Sequence, residues 1–178
     1  MSPKFDFAPN KKQAEFLATS ADIALMGGGL GSGKTLAAVI LLLRINNPAS
    51  EGGPGYANPR YNALIYRKHY KDLRDIIAKM QMIYPLLDPG ARFHKQDLIW
   101  TFSSGARIQV AYFETRDQCE SMVQGAEYST VIVDEAMHFA DDSIFLYMLS
   151  RLRNTFGMRC FMRLTSNPGR YRWLRDYF

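Results

Sequence analysis

GGGLGSGKT, Gly27 to Thr35, decides how this chain is read, because it follows a short apolar segment (Ile23 to Met26) and opens a strongly helical one (Thr35 to Ile45). From Gly28 through Gly33 and Lys34 to Thr35 the spacing fits GxxxxGK[ST], the phosphate-binding loop, and each position has a physical task. Gly28, Gly29, Gly31 and Gly33, with Ser32 among them, let the backbone curl its N–H groups around a phosphate. Lys34 reaches the outer phosphate oxygens, and the Thr35 hydroxyl holds Mg2+. The helix behind adds its positive end. A chance match in a chain of this composition has odds on the order of one in a hundred.

The 178 residues most simply form one domain, 1–178, with 47% hydrophobic and 22% charged content, an ordinary globular balance. The longest apolar run, Leu36 to Leu43, is too short to span a bilayer, and the first residues lack a signal-peptide core. A soluble, intracellular protein with no membrane partner is expected. Cys119 and Cys160 form no CxxC pair, and His69, His94 and His138 have no metal-ligand spacing. The formal charge is +5, with seven arginines between Arg151 and Arg175, which permits a polyanionic partner such as DNA without requiring one.

Along the chain, a helix is expected from Asn10, carrying Ala14, Phe16 and Leu17, then a strand at Ile23 to Met26. Asn46 to Arg60, with three prolines and three glycines, reads as a long surface loop. Ala63 to Tyr66 is a strand; Leu73, Ile76, Ile77 and Met80 fall at helical spacing, and Pro85 should end that helix. Asp97 to Phe102 and Arg107 to Phe113, joined by Ser103-Ser104-Gly105, read as a hairpin. A short helix at Asp117 to Val123, a strand at Val131 to Val133, a helix capped by Asp141 and Asp142, and a strand at Cys160 to Leu164 follow. Strands alternating with helices imply an α/β fold, a mainly parallel sheet covered by helices on both faces, with an added β-hairpin.

The second half of a nucleotide site is TVIVDEA, Thr130 to Ala136. Asp134 closes a buried strand at its carboxyl end, where ligands of open α/β sheets gather, and there it can share Mg2+ with Thr35. Glu135 is placed to accept a proton from an attacking water, which points to hydrolysis rather than transfer to another substrate. Phe5, Phe7 and Gln13 precede the phosphate loop; they suit adenine stacking and pairing, and equally a core or solvated role. Thr165, Ser166 and Asn167 leave a strand just before Pro168-Gly169, where small polar groups sense a γ-phosphate or simply turn the chain.

Together PNKKQAEFL, GGGLGSGKT, LIYRKHYKDLRD, QGAEYSTVIVDEAMHF, LSRLR and RLTSNPGRYRWLRDYF resemble the ATPase domain of the large terminase subunit of tailed bacteriophages, nearly end to end. The resemblance implies a P-loop NTPase of the additional-strand, catalytic-glutamate type that hydrolyses ATP with Mg2+ and moves double-stranded DNA into a procapsid. By residue it implies Gln13 as the adenine reader, Lys34 and Thr35 as phosphate and metal contacts, and Asp134 and Glu135 as metal-holding acid and catalytic carboxylate. Thr165, Ser166 and Asn167 match the family's coupling motif.

Many relatives carry an arginine where this chain has Leu30, so the resemblance implies an arginine from elsewhere, with Arg151 and Arg153 first and Arg116 behind them, supplied by a neighbour in a ring; Arg67 could instead face nucleotide or DNA. The implied partners are the portal protein, the small terminase subunit and other copies of the chain, and the implied location is the host cell cytoplasm. Relatives continue into a nuclease; the chain stops at Phe178, so no nuclease activity is expected. Two rival readings stand beside this one: a superfamily 2 helicase-like motor, which needs a second half, and a nucleotide-dependent ring-assembly module with negligible turnover.

Overall fold

A computed structural model describes residues 7–29, 31–169 and 171–178. Phe5 and Leu30, both singled out above, lie outside these residues. Strands β1 (Ile23–Gly27), β2 (Asn62–Arg67), β3 (Arg92–His94), β4 (Ile99–Thr101), β5 (Arg107–Tyr112), β6 (Thr130–Val133) and β7 (Phe161–Ser166) make one sheet of order β1-β7-β6-β2-β5-β4-β3. The first five in that order are parallel, and β4 and β3 continue the sheet antiparallel from β5.

Period-two alternation sorts the strand residues onto two apolar layers. On one face Ala63, Ile65, Ile108, Val110, Ile132 and Phe161 pack with helices α1 (Lys11–Ala18), α2 (Lys34–Leu41) and α3 (Leu73–Leu87). On the other, Leu64, Tyr66, Ala111, Val131, Val133, Met162 and Leu164 meet α4 (Arg116–Val123), α5 (Ser143–Leu149) and α6 (Trp173–Tyr177). Helices on both faces of a mainly parallel sheet are the arrangement expected. No helix among the described residues is long and apolar enough to cross a membrane.

The hairpin about Ser103-Ser104-Gly105 is present, and its second strand, β5, is also a member of the parallel sheet, paired to β2 from Asn62↔Arg107 to Arg67↔Tyr112. A third strand, β3, joins it through Arg92↔Thr101 to His94↔Ile99. Pro85 sits inside the last turn of α3 and does not end it; the helix runs to Leu87, and Asp88 N–H bonds the Tyr84 carbonyl. Proline gives up its own amide bond there and crowds the Gln81 carbonyl, a cost that the buried face of α3 (Leu73, Ile76, Met80, Ile83, Tyr84) offsets. α2 stops at Leu41, short of the expected Ile45, because the chain reverses at Arg44, whose φ is 46°.

The proline- and glycine-rich stretch after α2 contains two short 3-10 turns, Ala49–Glu51 and Gly55–Ala57, tied down by Asn47 Nδ2 on the Gly53 carbonyl at 2.8 Å and Arg44 Nη1 on the Arg159 carbonyl at 2.5 Å. It lies where α2 ends and β7 begins, at the opposite end of the sheet from the phosphate loop.

Candidate nucleotide site

The register of the sheet builds the site. Met26 pairs with Thr165, Val133 with Leu164 and with Tyr66, and Arg67 with Tyr112. One residue beyond Val133, Asp134 therefore stands in the same row as Thr165 and Arg67, on neighbouring strands and on the face that α2 covers. Asp134 is fully buried. Its Oδ1 accepts the Thr165 hydroxyl, and its Oδ2 accepts the Thr35 hydroxyl at 3.1 Å, Arg67 Nη2 at 2.6 Å and Arg67 Nε at 2.9 Å. Taking this carboxylate out of water is tolerable only with such a full set of donors.

Glu135 leaves the strand in the left-handed region, φ 57° and ψ 47°, with its N–H held by Thr165 Oγ1 at 3.1 Å. Such a conformation is uncommon for a non-glycine residue and costs on the order of 1 kcal/mol or more. It turns the carboxylate out of the row, half-buried, with Oε1 at 3.7 Å from Arg67 Nη2 and Oε2 at 3.5 Å from His138 Nδ1.

The phosphate loop arrives from β1. Gly31 and Gly33 adopt φ 75° and 73°, where a side chain is strained. The Gly33 position has a second requirement, since a Cβ there would stand 2.3 Å from Gln13 Nε2. Lys34 Nζ donates to the Gly28 and Gly29 carbonyls at 2.8 Å each, to Ser32 Oγ at 3.0 Å and to Asn167 Oδ1 at 2.6 Å. Burial pushes its ammonium below the usual lysine value, partly offset by the negative charges of Asp134 and Glu135. Ser166 lends its backbone, the carbonyl accepting Gly28 N–H at 3.2 Å, while its hydroxyl bonds the Asn167 carbonyl.

Of the residues chosen from sequence, Gly28, Gly29, Gly31, Ser32, Gly33, Lys34, Thr35, Asp134, Glu135, Thr165, Ser166 and Asn167 come together at the carboxyl ends of β1, β7 and β6. Gln13 is beside them and buried, with its amide engaged inside the chain: Oε1 accepts Asn10 N–H at 2.9 Å, completing a capping box, and Nε2 bonds the Gly33 carbonyl at 3.1 Å.

Arg151 and Arg153 are not brought to this site. They flank Tyr128, bonding its backbone ahead of β6, about 20 Å of extended strand from Asp134. Arg153 pairs with Glu127 at 2.9 Å and Arg151 lies over the Tyr147 ring at 5.3 Å. Arg116 follows the carboxyl end of β5 and is paired with Glu120 at 2.6 Å.

By sequence alone Arg67 suits either nucleotide or DNA. Here it is 5% exposed and at the centre of the site, its Nη2 also donating to Thr35 Oγ1 at 3.1 Å and its Nη1 to the Asp72 carbonyl at 2.6 Å. The available signal was a charged residue closing an apolar strand, the same signal that marked Asp134.

A cation between Thr35 and Asp134 is therefore compatible with the donor set: hard oxygen atoms, one of them on a buried carboxylate, converge there. The site residues fit a Mg2+ bound with a nucleotide.

The model of the T4-like-virus type of large terminase subunit, N-terminal region, matches residues 25–178. Among solved structures the chain is similar to the large terminase ATPase domain of Thermus phage P74-26, at 15% identity and TM-score 0.66, over 97% of this chain and 70% of that one. It is similar to the large terminase of the thermophilic bacteriophage D6E, at 18% identity and TM-score 0.64, over 91% of this chain and 40% of that one. The large terminase of bacteriophage HK97 follows at 12% identity and TM-score 0.63, over 90% and 33%. The D6E protein has also been solved in complex with ADP and with ATP-gamma-S. The chain thus spans well under half of the D6E and HK97 proteins. No curated protein sequence gives a significant match. At these identities the structures show a shared fold, and the family match over residues 25–178 shows membership: this chain belongs to the terminase large subunit family of T4-like-virus type, and carries its N-terminal region.

Proposed function

We propose that the chain is the ATP-hydrolysing motor domain of a phage terminase large subunit and drives double-stranded DNA into a procapsid. The observation that carries this reading is the 3.1 Å bond from Thr35, at the end of the phosphate loop, to buried Asp134, which joins the two halves of a nucleotide site across β7. The complexes of the D6E large terminase with ADP and ATP-gamma-S support a nucleotide as the ligand.

In this reading the loop amides and Lys34 cradle the phosphates, and Lys34 must leave the Gly28 and Gly29 carbonyls and Asn167 to do so. Thr35 and Asp134 would hold Mg2+, which supplies charge stabilisation at the phosphates when bound. Thr165 fixes the Asp134 carboxylate and, through the Glu135 N–H, the backbone that aims Glu135. Glu135 accepts the proton of the attacking water. Because Asn167 bonds Lys34 in this state, phosphate binding frees the end of β7, a physical route from the nucleotide to the rest of the motor.

DNA contact is through backbone phosphates, as a motor that ignores sequence requires. The partners are the portal protein, the small terminase subunit and further copies in a ring, assembled in the host cell cytoplasm. The distance of Arg151 and Arg153 from their own chain's Asp134 favours completion of each site by a neighbour.

Phosphate release by wild type and Glu135→Ala over a range of protein concentrations tests the reading. Turnover per molecule that rises with concentration and vanishes in the variant is expected. Nucleotide binding with no turnover at any concentration would favour the ring-assembly module instead.

A further inference from the structure

Arg67 stands where the proposed reading needs another cation. Its Nη2 lies 3.1 Å from Thr35 Oγ1, 2.6 Å from Asp134 Oδ2 and 3.7 Å from Glu135 Oε1, the oxygens assigned there to the metal and to the attacking water. The Lys34 ammonium is turned onto Gly28, Gly29 and Asn167. A buried Asp134 without a counter-charge would be strongly disfavoured, so in this state the guanidinium supplies it. A doubly charged metal in contact with the same oxygens would repel that guanidinium.

Resting on the reading of the site as a Mg2+–nucleotide pocket, we infer that Arg67 is a resident counter-cation exchanged for the metal when nucleotide binds. The exchange has a receiving partner. Asp75, half-exposed in the first turn of α3, holds Lys79 through Oδ1 and has Oδ2 3.7 Å from Arg67 Nη2, and the Asp72 carbonyl holds Nη1 at 2.6 Å. The released guanidinium therefore pairs with the start of α3, and nucleotide occupancy is reported to that helix by a change of ion pair.

Arg67→Gln removes the charge and Arg67→Lys keeps it; each is compared with wild type by thermal unfolding with Mg2+ alone, and by binding of a fluorescent ADP analogue with Mg2+ or with EDTA. In wild type, Mg2+ alone leaves the melting temperature unchanged because its place is taken, whereas in Arg67→Gln it raises it. Without metal, Arg67→Gln binds the analogue on the order of tenfold more weakly than wild type, since Asp134 and Glu135 then face the phosphates uncompensated; Arg67→Lys stays near wild type. Identical responses to Mg2+ in all three proteins would overturn the inference. Should none of them bind nucleotide, the pocket reading fails instead, and the response to Mg2+ alone still reports on Arg67.

If Arg67→Gln does not fold, the wild-type protein labelled with 15N provides the readout. The Arg67 Nε–H resonance, hydrogen-bonded to Asp134 in the free protein, is expected to shift and to exchange faster with Mg2+–ADP than with ADP and EDTA; an unmoved signal overturns the exchange.

Discussion

Replacing Glu135 by Gln keeps the size of the side chain and its strained backbone while abolishing its basicity. Phosphate release is expected to fall by about 10²–10⁴-fold, the usual worth of a general base, with affinity for an ATP analogue retained; a parallel loss of binding in calorimetry would move Glu135 from chemistry to structure. Gly33 offers a complementary case. A methyl group there meets both a left-handed backbone and Gln13 Nε2, so Gly33→Ala is expected to cost about 1–2 kcal/mol in urea unfolding and to weaken nucleotide binding. That Gly28 to Thr35 would meet Asp134 and Glu135 was legible in the sequence, from the spacing of these residue types alone. Arg67 was less so, because which acid an arginine meets depends on the register of two strands far apart in sequence.

The elements owe their positions to alternation along the central strands. Ile132 in β6 is fully buried against the α1–α3 layer while its neighbours Val131 and Val133 face the α4–α6 layer. Ile132→Ala is expected to cost about 2–5 kcal/mol in urea unfolding, as a cavity between sheet and helix cannot close. A loss below 1 kcal/mol would mean that the layer above β6 is loosely packed.

Local patterning revealed most elements here: the capped α1, the periodic α3, the hairpin turn. It missed β3, Arg92–His94, whose three residues carry no alternation long enough to register, and α6, Trp173–Tyr177, a short helix fixed by tertiary contact. Trp173 Nε1 bonds the Phe139 carbonyl at 3.0 Å and Trp173 packs on Phe145, neither of which a local window can contain.

Across the whole molecule, buried phenols and a buried thiol shape the response to alkali. Burial pushes Cys119 and Tyr128 up to about 12 from ordinary values of 9.0 and 10.0, and raises Tyr61, Tyr66 and Tyr84 as well. A raised folded value means that the unfolded chain loses these protons first. Their contribution is fully present below about pH 9 and is lost as pH climbs towards about 12. The urea midpoint is expected to hold at pH 8 and fall steeply by pH 11; a flat profile would contradict the burial.

DNA affinity carried by phosphate contacts should fall steeply between low and moderate salt, and an affinity insensitive to salt in gel-shift titrations would argue against direct contact. Strand order was not legible from sequence, because β6 and β7 insert between β1 and β2, and such long-range pairing leaves no local trace.

That insertion fixes a dimension. β7 alone separates the strand that launches the phosphate loop from the strand that ends in Asp134, so the two jaws stand two inter-strand spacings apart, about 10 Å. Main-chain ladders set this gauge, and side-chain substitution leaves it unaltered. A slip of β7 by a single residue, by contrast, would carry the Thr165 hydroxyl to the opposite side of the sheet and unseat Asp134. Loops around the mouth are thus free to vary in length and composition, while the bite of the cleft is held constant by one strand.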